Sequence, residues 1–119
     1  MIEIWHNSRC SKSRAAFNYL KEKNIDFKVR EYLKKPVTKD ELNIILKKLN
    51  KKPSEIVRKK EVIFKELGLK DASEDELLDA MVSNPKLIER PIVINGDKAV
   101  IARPLEEIES ILLWLIIVI

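Results

Sequence analysis

The apolar positions of the chain follow a two-residue period near its start and a helical period directly after it. Residues 2–6, IEIWH, alternate apolar and polar side chains, which is typical of a half-buried strand. Residues 11–24 repeat their apolar positions at helical spacing, and Asn24 is a candidate for the C-terminal cap. Residues 25–33 then return to period two. This order predicts two parallel strands joined by a right-handed crossover.

The middle of the chain, at about 38–85, is predicted to be a helical insertion. It contains two capping boxes, in which a Ser or Thr is followed three residues later by a Glu, each before an apolar helical run. These are Thr38 with Glu41 and Ser73 with Glu76. Between them, Pro53 opens a short helix that is expected to carry Arg58, and a further short helix is expected to stop at Gly68.

The C-terminal third returns to the strand pattern. PIVI and KAVIA flank NGD, and Asn95-Gly96 is a strong hairpin signal because both residues tolerate positive φ. Pro104 then admits a last helix. The element order is β-α-β, a helical insertion and β-β-α. It predicts an α/β fold, a small mixed sheet covered by helices in the thioredoxin manner, as a single domain over residues 1–119.

The composition narrows the classes of partner. The chain has 119 residues, of which 45% are hydrophobic and 35% charged, as in a folded globular domain. The net charge of +4 is mild, its cations are spread among acidic residues, and only 6% of the residues are aromatic. A nucleic-acid partner is therefore not expected, whereas electrostatic attraction of a small anion is.

One cysteine, Cys10, and one histidine, His6, limit the available chemistry. A single cysteine forms no internal disulfide, and two soft ligands are too few for a metal site, so no metal is expected. The first residues, MIEIWHN, lack a basic region followed by an apolar run, and we expect a cytoplasmic protein.

Cys10 is predicted to lie where the first strand ends and the first helix begins. Backbone N–H groups and the positive end of the helix dipole meet there, and Arg9, Lys12 and Arg14 add positive charge. Both features favour the thiolate, so a lowered pKa of Cys10 is expected. The alternative is a buried, inert cysteine. His6 is either a partner near the thiol or a strand-end histidine with a structural role.

A dithiol redox motif would place a second cysteine three residues after Cys10, where this chain has Ser13. With no other cysteine, the protein cannot resolve a mixed disulfide by itself. If Cys10 turns over, an external thiol must regenerate it.

HNSRCSKSR, together with ERPIVI and ARPLEEI, resembles the glutaredoxin-coupled arsenate reductases over nearly the whole chain. The family's catalytic cysteine matches Cys10, and its supporting loop matches His6, Asn7 and Ser13, followed by Arg14. Family members often carry proline where this chain has Ser8. The resemblance also implies a cis peptide bond before Pro91.

The resemblance further implies three arginines that hold the arsenate oxyanion, matched here by Arg58, Arg90 and Arg103. Guanidinium groups suit a tetrahedral oxyanion because their paired donors match its oxygens. The implied function is the reduction of arsenate to arsenite by the Cys10 thiolate. Glutathione would be the co-substrate, glutaredoxin the partner, and no cofactor would be bound.

Two other functions remain open from the sequence. One is a glutathione-dependent thiol enzyme with another substrate. The other is a non-enzymatic protein similar to the Spx-type regulators that bind RNA polymerase, although this chain lacks their two-cysteine switch.

The chain ends in ILLWLIIVI, residues 111–119, without a charged residue. As a helix this run would extend roughly 14 Å, against the ~30 Å hydrocarbon core of a bilayer, so no membrane span is expected. Either the run packs on the domain, or it forms an apolar surface that drives self-association.

Overall fold

The computed structural model describes the backbone of residues 2–118 and the side chains of residues 2–112. The side chains of the apolar tail from residue 113 onward, and with them its expected packing or self-association, lie outside the described residues. The chain divides into two units, one formed by Met1–Tyr32 with Arg90–Ile119 and the other by Leu33–Glu89. Among the described residues, no helix combines the length and the apolar character needed to cross a bilayer.

The first unit is built on a four-stranded mixed sheet. Its strands are β1 (Ile2–Trp5), β2 (Phe27–Arg30), β3 (Ile92–Asn95) and β4 (Lys98–Ile101). They are ordered β2-β1-β3-β4, with β1 parallel to β2 and antiparallel to β3, and with β3 antiparallel to β4. The predicted parallel pair and the thioredoxin-like α/β fold are confirmed.

The register of the sheet brings three chain segments to one end of it. Trp5 at the end of β1 pairs with Ile92 at the start of β3, and Ile92 pairs with Ile101 at the end of β4. The segment after β1, the segment before β3 and the segment after β4 therefore leave the sheet at the same end. They contain Cys10, Arg90 and Arg103, respectively.

Two helices cover one face of this sheet, namely α1 (Ser11–Glu22) and α6 (Glu107–Val118). The shared core of buried apolar side chains comprises Ile2, Ile4, Ala16, Leu20, Val93, Ala102, Ile108, Ile111 and Leu112. Helix α1 ends at Glu22 and its C-cap is Lys23, one residue before the predicted cap Asn24, which follows with a φ of +57°. The N–H of Asn24 donates to the Lys21 carbonyl and that of Ile25 to the Leu20 carbonyl, which satisfies the last carbonyls of the helix.

The hairpin between β3 and β4 differs in detail from the prediction. Its two loop residues are Gly96 and Asp97, while Asn95 is the last residue of β3 and pairs with Lys98. Gly96 alone of the expected pair has positive φ, at +62°. Asn95 stays in the strand, where its side-chain amide donates a 2.8 Å hydrogen bond to the carbonyl of Ile111.

The second unit is helical. Its α-helices are α2 (Lys39–Leu49), α3 (Pro53–Ile56), α4 (Val62–Glu66) and α5 (Glu74–Ser83), with 3₁₀ turns at Leu69–Asp71 and Pro85–Leu87. Both predicted capping boxes are present, at the starts of α2 and α5. Gly68 follows α4 with a φ of +63°.

The prediction that α3 carries Arg58 is wrong. The helix ends at Ile56, and Val57 forms an isolated antiparallel bridge with Ile88. The Arg58 N–H donates to the Leu87 carbonyl at 2.8 Å instead of to a carbonyl of α3. Pairing with this distant segment thus replaces another helical turn.

Candidate functional site

Cys10 is the N-cap residue of α1 and has an extended backbone, with φ −96° and ψ 124°. Its N–H donates to the Asn7 carbonyl at 3.0 Å, which closes a tight turn after β1. Its carbonyl accepts the Arg14 N–H at 3.0 Å, which begins the helix. Cys10 thus lies at the point where the first backbone N–H groups of a helix lack helical partners. The residue is half-buried.

The surroundings of the Cys10 thiol favour its ionised form. Burial raises the pKa of Cys10, but the backbone N–H of Ser13, the Arg90 guanidinium and the backbone N–H of Lys12 lower it more, so the pKa lies below its ordinary value. Hydrogen-bond donors and a cation stabilise a thiolate more than a neutral thiol. The thiolate is the nucleophilic form, so these groups increase the reactive fraction.

Ser13 lies beneath this loop with its side chain fully buried. Its Oγ accepts the Asn7 N–H at 2.9 Å and lies 2.7 Å from Nδ1 of His6. One hydroxyl therefore joins the strand end, the loop and the helix. The sequence analysis singled out Ser13 because it occupies the position of a second cysteine in a dithiol motif. It did not predict these hydrogen bonds.

His6 is buried and stacks on Phe17, with 5.2 Å between the ring centroids. Burial lowers the pKa of His6, Glu31 opposes this and Arg14 adds to it, so the net direction is downward. The neutral form of the imidazole is therefore favoured. Its hydrogen bond to Ser13 supports the structural alternative, in which the ring holds the loop.

The exposed side of the loop is held by two further contacts. The Arg14 guanidinium donates to the Ser8 carbonyl at 2.9 Å, and the Arg9 N–H donates to Oδ1 of Asn7 at 3.0 Å. The first contact connects positions on both sides of Cys10, and the second lies within the turn that precedes it. They give Arg14 and Asn7, both expected in the supporting loop, a definite role in its shape.

Arg90 and Arg103 lie at the sheet end that carries the Cys10 loop. Arg90 is half-buried and contributes to the ionisation of the thiol, while Arg103 is exposed. The Arg90-Pro91 bond is cis, in agreement with the resemblance, and the Arg103-Pro104 bond is also cis. The Pro91 carbonyl accepts the Ala102 N–H at 3.0 Å, which extends the pairing of the two segments beyond the strands.

Arg58 belongs to the helical unit. Its guanidinium lies 2.7 Å from a carboxylate oxygen of Glu61 and donates to the Lys86 carbonyl at 3.3 Å. The structure thus joins Cys10 with Arg90, whereas the role of Arg58 at the same site stays a prediction.

The chain is similar to known proteins over most of its length. Residues 5–111 match the model of the ArsC family. The chain is 46% identical over 113 residues to the uncharacterized protein YfgD of Escherichia coli K12, an alignment covering 92% of this chain and 95% of that protein. It is 45% identical over 114 residues to the arsenate reductase of Neisseria meningitidis strain MC58, covering 93% and 97%, respectively.

A solved structure gives the same assignment. The arsenate reductase from Vibrio cholerae superposes with a TM-score of 0.89 at 38% sequence identity, covering 92% of this chain and 96% of that one. The match extends over both the sheet and the helical unit, since it covers nearly the whole length of both proteins. This chain belongs to the ArsC family.

Proposed function

We propose that this protein is an arsenate reductase in which the Cys10 thiolate is the nucleophile. The observation that supports this most strongly is the pairing of the Cys10 thiol with the Arg90 guanidinium at the start of α1. The same groups that stabilise a thiolate also attract an oxyanion, because both carry negative charge. The arsenate reductases among the relatives support the choice of arsenate as the oxyanion.

Arg90 and Arg103 are the proposed oxyanion ligands of the sheet unit, and Arg58 is the third. The first two follow from the register, which brings the segments before β3 and after β4 to the end of the sheet with Cys10. Arg58 follows from the resemblance alone. Guanidinium donors would offset the charge of arsenate, which otherwise repels an approaching thiolate.

In the proposed first step, Cys10 Sγ attacks arsenic(V) and a sulfur–arsenic bond forms. An arsenate hydroxyl takes up a proton and leaves as water, and arsenic remains in the +5 state. A glutathione thiolate then attacks Cys10 Sγ. The electron pair of the sulfur–arsenic bond moves to arsenic, which leaves as arsenite, and Cys10 is left in a disulfide with glutathione.

Glutaredoxin is the proposed partner for the last step, in which its thiolate takes glutathione from Cys10. The need for such a partner follows from the sequence, since Cys10 is the only cysteine and Ser13 occupies the position of a resolving thiol. Glutathione and glutaredoxin operate in a reducing compartment, so the proposal places the protein in the cytoplasm.

The test is arsenite formation by the purified chain with arsenate, glutathione and glutaredoxin. We expect turnover by the native protein and by Ser11→Ala, a matched control for an exposed serine beside the cysteine, and none by Cys10→Ser. Native protein without activity refutes the assignment to arsenate.

The same preparations distinguish the other functions. Glutathionylation of Cys10 without any arsenite formation indicates a thiol enzyme with another substrate. Capture of RNA polymerase by both the native protein and Cys10→Ser, with no turnover, indicates a binding protein.

A further inference from the structure

Two exposed cations flank Cys10, and only their backbone N–H groups have a role in the site as described above. Arg9 precedes the cysteine and Lys12 lies in the first turn of α1, and both side chains are exposed. Among residues 2–112, neither side chain takes part in an ion pair or a side-chain hydrogen bond. Adjacent Cα atoms are about 3.8 Å apart, so both charges originate within one turn of the thiol.

The side-chain charges of Arg9 and Lys12 are not needed to explain why the thiol ionises readily. The groups that lower the pKa of Cys10 are the backbone N–H groups of Ser13 and Lys12 and the side chain of Arg90. Charges on exposed, mobile side chains are screened by solvent and salt, so they perturb a neighbouring pKa weakly. Their field outside the protein still attracts anions and increases the rate of encounter.

We propose that Arg9 and Lys12 form a recognition surface for a low-molecular-weight thiol that carries carboxylates, the class to which glutathione belongs. This inference rests on the proposed function, because it concerns the thiol that reacts at Cys10. In the proposed function the half-buried Arg90 binds arsenate, whereas the co-substrate would reach Sγ from solvent, where the side chains of Arg9 and Lys12 are exposed. Two cations beside one sulfur complement an anionic thiol better than a neutral one.

The experiment measures the second-order rate constant of Cys10 with two disulfides in the absence of arsenate. Oxidised glutathione is anionic, and bis(2-hydroxyethyl) disulfide is neutral. In both reactions the Cys10 thiolate attacks one sulfur, a new S–S bond forms, the old one breaks, and a thiolate leaves with its electron pair. The rates are compared for the native protein and for the double variant Arg9→Gln/Lys12→Gln.

The matched control is the double variant Lys28→Gln/Lys98→Gln. Both lysines are exposed, and they lie in β2 and β4 near the opposite end of the sheet. The two double variants carry the same net charge, two charges fewer than the +4 of the native chain. A difference between their rate constants therefore depends on the position of the removed charges and not on their number.

At low ionic strength we expect Arg9→Gln/Lys12→Gln to react with oxidised glutathione about tenfold more slowly than the native protein, at the lower end of steering effects. The difference should nearly vanish in ~1 M salt, where the screening length falls to about 3 Å. The rate with the neutral disulfide should stay within roughly twofold, and the control variant should match the native protein with both reagents.

An unchanged rate with oxidised glutathione overturns the inference. Equal losses with both disulfides also overturn it, because they show that the charges act on the thiol itself. These rates require no arsenate, so a protein without arsenate reductase activity can still show anion selectivity at Cys10. If the native thiol reacts with neither disulfide, the reactive cysteine and this inference fail together.

Discussion

The hydroxyl of Ser13 holds the Cys10 loop in place, and Ser13→Ala tests how strongly. The substitution removes one oxygen from a fully buried side chain and leaves two groups without their partner, the Asn7 N–H and Nδ1 of His6. Alanine suits the helix, since its intrinsic propensity exceeds that of serine. The loss of stability therefore measures the hydrogen bonds.

The size of the stability loss depends on how deeply the Asn7 N–H and Nδ1 of His6 are buried. A buried polar group left unpaired costs about 1–3 kcal/mol. His6 is 8% exposed and so stays near the upper part of that range, while Asn7 is half-buried and can be partly rehydrated. Together they predict a decrease of roughly 2–4 kcal/mol in the free energy of unfolding.

Urea unfolding, followed by circular dichroism, measures this decrease. The matched control is Ser11→Ala, the same change on an exposed serine two residues earlier in α1, for which we expect a change within about 0.5 kcal/mol. Ser13→Ala should also raise the pKa of Cys10, because the turn that carries the thiol loses its anchor at Asn7. Equal stabilities of the two variants would show that the Ser13 hydroxyl does not hold the loop.

Three further results are expected. Because the pKa of His6 is lowered in the folded state, unfolding takes up a proton below the ordinary value of about 6.5, and stability should fall as the pH decreases from there. His6→Asn should flatten this fall in urea titrations, whereas an unchanged slope would exclude His6 as its source. Arg90→Gln should move the pH profile of Cys10 alkylation to higher pH, and an unmoved profile would contradict the pairing of the two side chains. If the apolar tail drives self-association, a chain truncated after Leu112 should have a lower mass per particle in light scattering than the full chain, and identical masses would dismiss that role.

Local sequence signals were sufficient for the elements that frame the site. The alternation in residues 2–6 and the helical period after Ser11 placed Cys10 between a strand and a helix, where the structure has it. The capping boxes at Thr38 and Ser73 marked two helix starts correctly, because both partners of each box lie within one turn.

Features that depend on contacts between distant residues could not be predicted from local sequence signals. Arg58 was assigned to a helix because Pro53 signals a helix start, but pairing of Val57 with Ile88 ends that helix early. Asn95 was assigned to the turn because its type favours positive φ, but its amide binds the carbonyl of Ile111. In each case a tertiary hydrogen bond outweighs a local preference.

The Cys10 loop shows the same division. Its residue types suggested a reactive thiol. Two contacts could not be predicted from any periodic pattern, namely that of Arg14 with the Ser8 carbonyl and that of the Ser13 hydroxyl with two partners. Arg90 lies 80 residues beyond Cys10 in the chain. Only the pairing of β1 with β3 brings it near the thiol.

Reduction of arsenate through a covalent intermediate on Cys10 can be followed by intact-mass spectrometry of a single turnover. The protein is mixed with arsenate and glutathione in the absence of glutaredoxin, and arsenite is measured in the same sample. We expect the protein to gain the mass of one glutathione at Cys10 only when arsenate is present, with one arsenite released per modified chain. Arsenite formed without this modification, or no modification that depends on arsenate, would contradict this mechanism.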